Sequence, residues 1–289
     1  MRSLPALRQG PPLRSPGPAL PSAPLAPRMG RPLLPRGERP RAPSPRRRSR
    51  AAASDWRGLR ITAIGEGQPP DRPARPESPE LLPPNRVKKR KIGPGTAGRF
   101  ALLHALAHIE LNAIDLAWDI IARFTHEELP RDFYDDWVRV ADEEAKHFSL
   151  LSDRLAALGG RYGDLPAHDG LWQAAEATAD DLLARLAVVP MVLEARGLDV
   201  TPAMIKKLQD AGDEESASVL QVIYDEEIGH VAIGRRWFQW LCAKRQLEPV
   251  STWQRLVRER FRGPLKPPFN EPGRSKAGLS ADYYSDLVG

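Results

Sequence analysis

Two short stretches constrain this chain more than anything else in it. Residues 142–148 read DEEAKHF and residues 225–231 read DEEIGHV. Each contains Glu-x-x-His: Glu144 with His147, and Glu227 with His230. Three positions turn an α-helix by about 300°, so the two side chains of a pair share one face a turn apart and can reach the same metal ion. One such pair is common on any charged helix. Two of them on separate long helices call for a common explanation.

The surrounding sequence predicts those helices. Residues 96–124 are rich in Ala and Leu at helical spacing, and 131–158 form a second periodic run that Gly159 and Gly160 end. A third helix is expected over 171–196, ended by Gly197, with Pro190 forcing a kink or bulge one turn before Glu194. TPAMIKKLQDAG (201–212) predicts a short helix in the next connection, and Asp213 an N-cap for a fourth long helix over 214–244. A short amphipathic helix over 252–262 follows, and then GPLKPPFNEPG, expected to run extended.

The first and third helices each supply one carboxylate in apolar surroundings, Glu110 within LAHIELNAI and Glu194 within VVPMVLEARG. A buried carboxylate without a counter-charge is costly, and a metal ion relieves that cost. Glu110 precedes Glu144 much as Glu194 precedes Glu227, so the chain reads as two helix pairs, each giving Glu and then Glu-x-x-His. This is the ligand order of ferritin-like di-iron and di-manganese carboxylate proteins. The expected metal ligands are Glu110, Glu144, His147, Glu194, Glu227 and His230. Glu110 and Glu194 would be terminal, Glu144 and Glu227 bridging, and each histidine would take one ion. Glu143 and Glu226, or Asp142 and Asp225, would orient the imidazole of the facing helix. Tyr224, one turn before Glu227, is a further candidate to approach the site. A set of carboxylates and imidazoles suits iron first and manganese second, two ions in all.

HALAHIEL, DEEAKHF, LPAHDGLW, VLEARGLDVTP, DEEIGHV and LKPPFN together resemble the bacterial ferritin-like family known as domain of unknown function 455, from about Pro73 to the C-terminus. The resemblance implies a ferritin-like fold and the same six ligands, and brings no settled reaction. The expected fold is therefore all-α: a ferritin-like four-helix bundle with a short extra helix in the third-to-fourth connection and an extended C-terminal segment.

Composition divides the chain. Residues 1–53 hold twelve arginines, no lysine and one acid, Glu38, and thirteen of the 30 prolines fall in the first 50 positions. Residues 1–93 are expected to be a disordered tail and linker, whether solvated or the product of a start site set too far upstream, and 94–289 the helical domain. With one cysteine, Cys242, no intrachain disulfide or thiolate metal cluster is possible. No run is expected to span a membrane, and the cytoplasm is the expected compartment. His104, His108, Asp115 and Asp119 fall within about 60° of one another on the first helix, opposite Glu110, and read as an outer polar stripe bound to the linker or to a partner, with a second metal face as the sharper alternative.

The leading functional expectation is an oxidoreductase whose dinuclear iron, or iron–manganese, centre activates dioxygen to oxidise or hydroxylate an unidentified small molecule, with an external electron donor. The alternatives are a tRNA-modifying hydroxylase of the ferritin-like type, with basic segments 28–50 and 86–91 steering RNA, and a non-enzymatic iron-handling bundle. A monomer or small homo-oligomer is expected.

Overall fold

A computed structural model describes residues 44–87 and 95–288, all within one compact unit. The regular elements among the described residues are helical, with no strand beyond two isolated bridges. The helices are α1 (Pro45–Arg57), α2 (Thr96–Arg123), α3 (Arg131–Ala157), α4 (Gly170–Glu176), α5 (Leu182–Val188), α6 (Ala195–Asp210), α7 (Glu214–Lys244), α8 (Pro249–Arg260), α9 (Glu271–Lys276) and α10 (Ala281–Tyr284). Between α5 and α6 the chain continues without a break as a π-helical segment, Val189–Glu194. The N-terminal part of the expected tail, 1–43, and residues 88–94 lie outside the described residues.

Within the described part of that tail, the expectation of disorder needs correction. Residues 45–57 form α1, which lies against α3. Ser49, Ala53 and Trp56 are its buried positions, one helical stripe at i, i+4 and i+7. Ser49 Oγ donates to the Ala141 carbonyl at 2.9 Å and accepts from Trp118 Nε1 at 2.8 Å, while Trp56 Nε1 donates to Asp135 at 2.6 Å. Arg50, between them, is exposed, and it and Arg57 pair with Asp142 at 3.6 and 2.9 Å.

α2 packs along α3, α6 along α7, and α3 also meets α7. Contrary to expectation, α2 is long and apolar enough to cross a membrane. Its apolar residues are spent on the core instead, from Leu102 through Ile120. Asp213 caps α7 as expected: it accepts from Ser216 N at 3.1 Å and binds Arg154 and Arg99 at 3.1 and 3.0 Å, which ties the start of α7 to α3 and α2.

The third helix departs most from expectation. It is broken at 177–181, where Asp181 caps α5 by accepting from Leu183 N. It then runs past Gly197 and through Pro202 to Asp210, absorbing the short helix expected at 201–212. Pro202 cannot donate to the carbonyl of Leu198. That carbonyl instead accepts from Asn270 Nδ2 at 2.9 Å, so the helix continues without an orphaned acceptor. Asp199 holds the same C-terminal stretch through Asn270 N at 3.0 Å and a two-toothed pair with Arg274 at 2.8 Å on each tooth. The C-terminal segment therefore runs extended only as far as Asn270, and α9 and α10 follow.

The polar stripe on α2 is buried and binds connectors. His104 Nε2 accepts from Gly163 N at 2.9 Å, and Arg75 of the linker joins Asp115 and Asn112 at 2.8 and 2.7 Å. His108 lies between the Tyr162 hydroxyl, 2.9 Å from Nδ1, and the His168 carbonyl, 3.0 Å from Nε2. Asp119 is buried against Arg185 and also accepts from Arg123. The face holds linker, connector and α5 together, which is the blander of its two readings.

Two predictions follow from these contacts. Asp119→Ala leaves the Arg185 guanidinium charged in the core, and urea unfolding should show a loss of about 3–5 kcal/mol. Adding Arg185→Leu should recover part of that loss. Burial is the chief reason the His108 pKa falls from 6.5 to about 4. Between those values the unfolded chain binds a proton that the folded chain does not, so stability is full above pH 6.5 and declines toward pH 4. In paired melts across that range, His108→Gln should lose less stability on acidification than the natural protein; an identical slope would show that His108 carries no such linkage.

Candidate metal centre

Two large apolar clusters make up most of the core, beside a small third one of Leu116, Trp172, Ala175 and Val189. The first large cluster is built around Phe133, Trp137, Trp237 and Trp253, and the second around Leu103, Leu111, Leu151 and Leu220. On α3, Glu144 and His147 occupy the turn where the chain passes from Ala141 of the first cluster to Ala145 and Phe148 of the second. On α7, Glu227 and His230 sit at the matching crossover between Ile223 and Val231. A belt of ionisable side chains thus separates the two halves.

Its geometry is ordered. His147 Nδ1 is 3.3 Å from Glu110 Oε2, 3.4 Å from Glu144 Oε2 and 3.8 Å from Glu227 Oε1. His230 Nδ1 is 3.1 Å from Glu144 Oε1 and 3.6 Å from Glu227 Oε2. Glu144 and Glu227 therefore each turn one oxygen toward each imidazole. Glu110, Glu144, His147 and Glu227 offer ligand atoms all within 4.8 Å of one another, a group that could hold a metal ion. Glu194 arrives from the π segment, buried within the electrostatic reach of Glu227, His230 and Glu144.

The far nitrogens of both imidazoles are also held. His147 Nε2 lies 2.8 Å from Glu226 Oε2 and His230 Nε2 lies 2.8 Å from Glu143 Oε2, each partner on the facing helix. The other three candidates lie elsewhere. Asp142 pairs with Arg57, Asp225 accepts from Gln221, and the Tyr224 hydroxyl accepts from Asn270 at 2.8 Å and so points to the C-terminal segment.

The electrostatics are those of a site short of positive charge. Burial, and then the charge of Glu144, pushes the Glu110 carboxyl well above its usual range; burial and Glu227 do the same to Glu194. Burial opposes ionisation of Glu144, yet the two imidazoles beside it outweigh burial and hold that carboxyl far down. Both imidazoles are raised well above the ordinary value because the surrounding carboxylates overcome burial. The hydrogen bond from His147, aided by Lys146, holds Glu226 at about 2. Even so, both oxygens of Glu144, Oε2 of Glu194 and of Glu227, and Nδ1 of His230 are buried without a hydrogen-bond partner. Such atoms are rare in folded proteins and costly, and a cation among them satisfies them together.

Glu194 depends on a backbone bulge at Pro190, as that proline leads one to expect. Pro190 has no N–H for an α-helical bond, and the chain widens into the π register, with Ala195 N donating to Pro190 O five residues back. The Ala187 carbonyl at the entry to this segment accepts from Trp253 Nε1 at 3.1 Å. α7 approaches the bulge at Gly234, where any Cβ would overlap the Pro190 ring.

The model of the family described as "Protein of unknown function (DUF455)" matches residues 41–285. An uncharacterized protein of Haemophilus influenzae is 43% identical over 212 residues, covering 72% of this chain and 73% of its own length. No solved structure matches the chain. The family match begins at residue 41, ahead of the start near Pro73 that the sequence motifs suggested, and so includes α1.

In an open helix Gly→Ala stabilises by up to about 1 kcal/mol. At Gly234 the sign should reverse, to a loss of about 1–3 kcal/mol in urea unfolding, because the added methyl must displace the bulge. A neutral or stabilising result would show that α7 and the π segment are not in close contact.

Proposed function

The chain belongs to the DUF455 family, a family of unknown function, and from its buried carboxylates and imidazoles we propose that it is a dinuclear metal protein of ferritin-like architecture. In this reading the four-helix frame is α2, α3, the α5–π–α6 segment and α7. Glu110 and His147 would hold one ion, Glu194 and His230 the other, and Glu144 and Glu227 would serve both. The observation that carries the reading is the set of buried carboxylate oxygens and one imidazole nitrogen with no partner, all in this one place.

The chain's own residues suit the task. With Nε2 held by Glu226 or Glu143, each imidazole would offer its Nδ1 lone pair inward once a metal ion replaces the Nδ1 proton. Four carboxylates balance two divalent ions, so a loaded site would be neutral within an apolar core. A pair of iron ions, or iron with manganese, would supply redox chemistry toward dioxygen, and an oxidase or hydroxylase acting on an organic substrate is the activity proposed. A cavity of about 270 Å³ opens onto Glu110, Glu144, Glu194 and Glu227, which gives such a substrate a place beside the site. An RNA substrate would draw on basic segments of which 28–43 and 88–91 lie outside the described residues, while Arg50 and Arg57 lean on Asp142.

Metal analysis tests this directly. Protein loaded with iron or manganese, aerobically and anaerobically, should hold about two ions per chain. Glu144→Ala should bring this below one, and Glu143→Gln or Glu226→Gln should weaken retention about 10- to 100-fold. Trace metal alone under both loading conditions would sink the proposal.

A further inference from the structure

The cavity beside the carboxylates says what kind of molecule it accepts. Its floor is Glu110, Glu144, Glu194 and Glu227. Its walls include Leu106 and Leu116 from α2, Val189 and Leu193 from the π segment, and Met204 and Leu220 from α6 and α7. Ile109, 42% exposed, stands at the edge where the cavity meets solvent. Beyond the four glutamates, the polar lining is Arg196, His168 and Thr201.

The two cationic candidates are committed to the fold. Arg196 donates to the Lys266 carbonyl at 2.6 Å and leans on Asp199 at 3.6 Å. His168 Nδ1 accepts from Gly170 N at 3.2 Å, and its carbonyl faces His108. A phosphate or carboxylate entering here would meet apolar walls and four glutamates, with Arg196 and His168 already engaged. Transfer of such a group from water would be uphill. A neutral apolar molecule would exchange water for close contact on every wall, the ordinary basis of small-molecule binding in cavities of this kind.

We infer that this cavity is the binding site of a small, neutral, apolar molecule, held with one end against the four glutamates. The inference deepens the proposed function by naming its substrate class, and it rests on that reading only for what happens to the molecule once bound. Binding itself depends on the cavity alone.

Gly197 provides a clean probe. It lines the cavity within α6, and a Cβ placed on it meets nothing within 4 Å. Gly197→Leu therefore projects its first side-chain atom into open space, and a leucine favours the helix. Binding of butanol, hexanol and hexanoate would be followed by ligand-observed NMR and calorimetry on the full chain, its metal content measured alongside. Hexanol should bind more tightly than butanol by about fourfold per methylene. It should also bind at least tenfold more tightly than hexanoate, and Gly197→Leu should weaken it at least tenfold with metal content and melting temperature maintained. Hexanoate binding as well as hexanol, hexanol binding unchanged in Gly197→Leu, or no alcohol binding at all would each overturn the inference. Metal-free protein that still binds hexanol in this pattern would defeat the metal reading and leave the cavity assignment standing.

Discussion

The structure depends on one electrostatic constraint: six ionisable side chains share the middle of an apolar core. Each is buried wholly or in large part, and each is costly alone. They are tolerable because they face one another across helices, with every imidazole nitrogen opposite a carboxylate. This fixes more than local geometry. Glu226 must face His147 and Glu143 must face His230, so the register of α3 against α7 is set by two crossed contacts of equal length, 2.8 Å each. A slip by one turn would leave two buried imidazoles and several carboxylates unpaired. Apolar packing alone tolerates such slips far better, because leucine for leucine costs little.

The same constraint explains which parts of the molecule were legible in its sequence. The long helices and their limits follow from periodicity and from Gly159, Gly160 and Asp213. The positions of Glu144, His147, Glu227 and His230 on shared faces follow from a three-residue spacing. What periodicity could not supply was the behaviour of the third helical segment. Gly197 and Pro202 are ordinary stop signals, yet both lie inside α6. The rescue comes from 72 residues beyond Leu198, where Asn270 satisfies the carbonyl that Pro202 cannot serve. No local pattern announces a partner that distant. α1 was missed for another reason: arginine and proline density concealed a three-residue stripe, Ser49, Ala53 and Trp56, whose spacing was available to be read.

The π segment ties these observations together. The two halves of the chain repeat the order Glu, then Glu-x-x-His, but they do not present their first glutamate in the same way. Glu110 sits in the middle of a regular helix, whereas Glu194 closes a widened turn that begins at Pro190. Three outside contributions support the widening: Gly234 makes room for the proline ring, Trp253 donates to the Ala187 carbonyl, and the C-terminal segment anchors the turn that follows through Asp199. Residues far outside the repeat therefore hold one of its six members.

That asymmetry bears on what the site can do. A cavity opens beside all four glutamates, and the π segment with the start of α6 forms a wall of it through Val189, Leu193, Gly197 and Val200. The segment that delivers Glu194 is thus also the segment that shapes the space for a guest. Gly197, which reads in sequence as the end of a helix, is better understood as the point where that helix leaves a side chain out. A scaffold needing only to bury metal would gain stability by filling this gap with a larger residue, as helix propensity and apolar packing both favour. The gap instead sits where an apolar wall meets four glutamates, an arrangement that makes physical sense if something apolar is meant to arrive there.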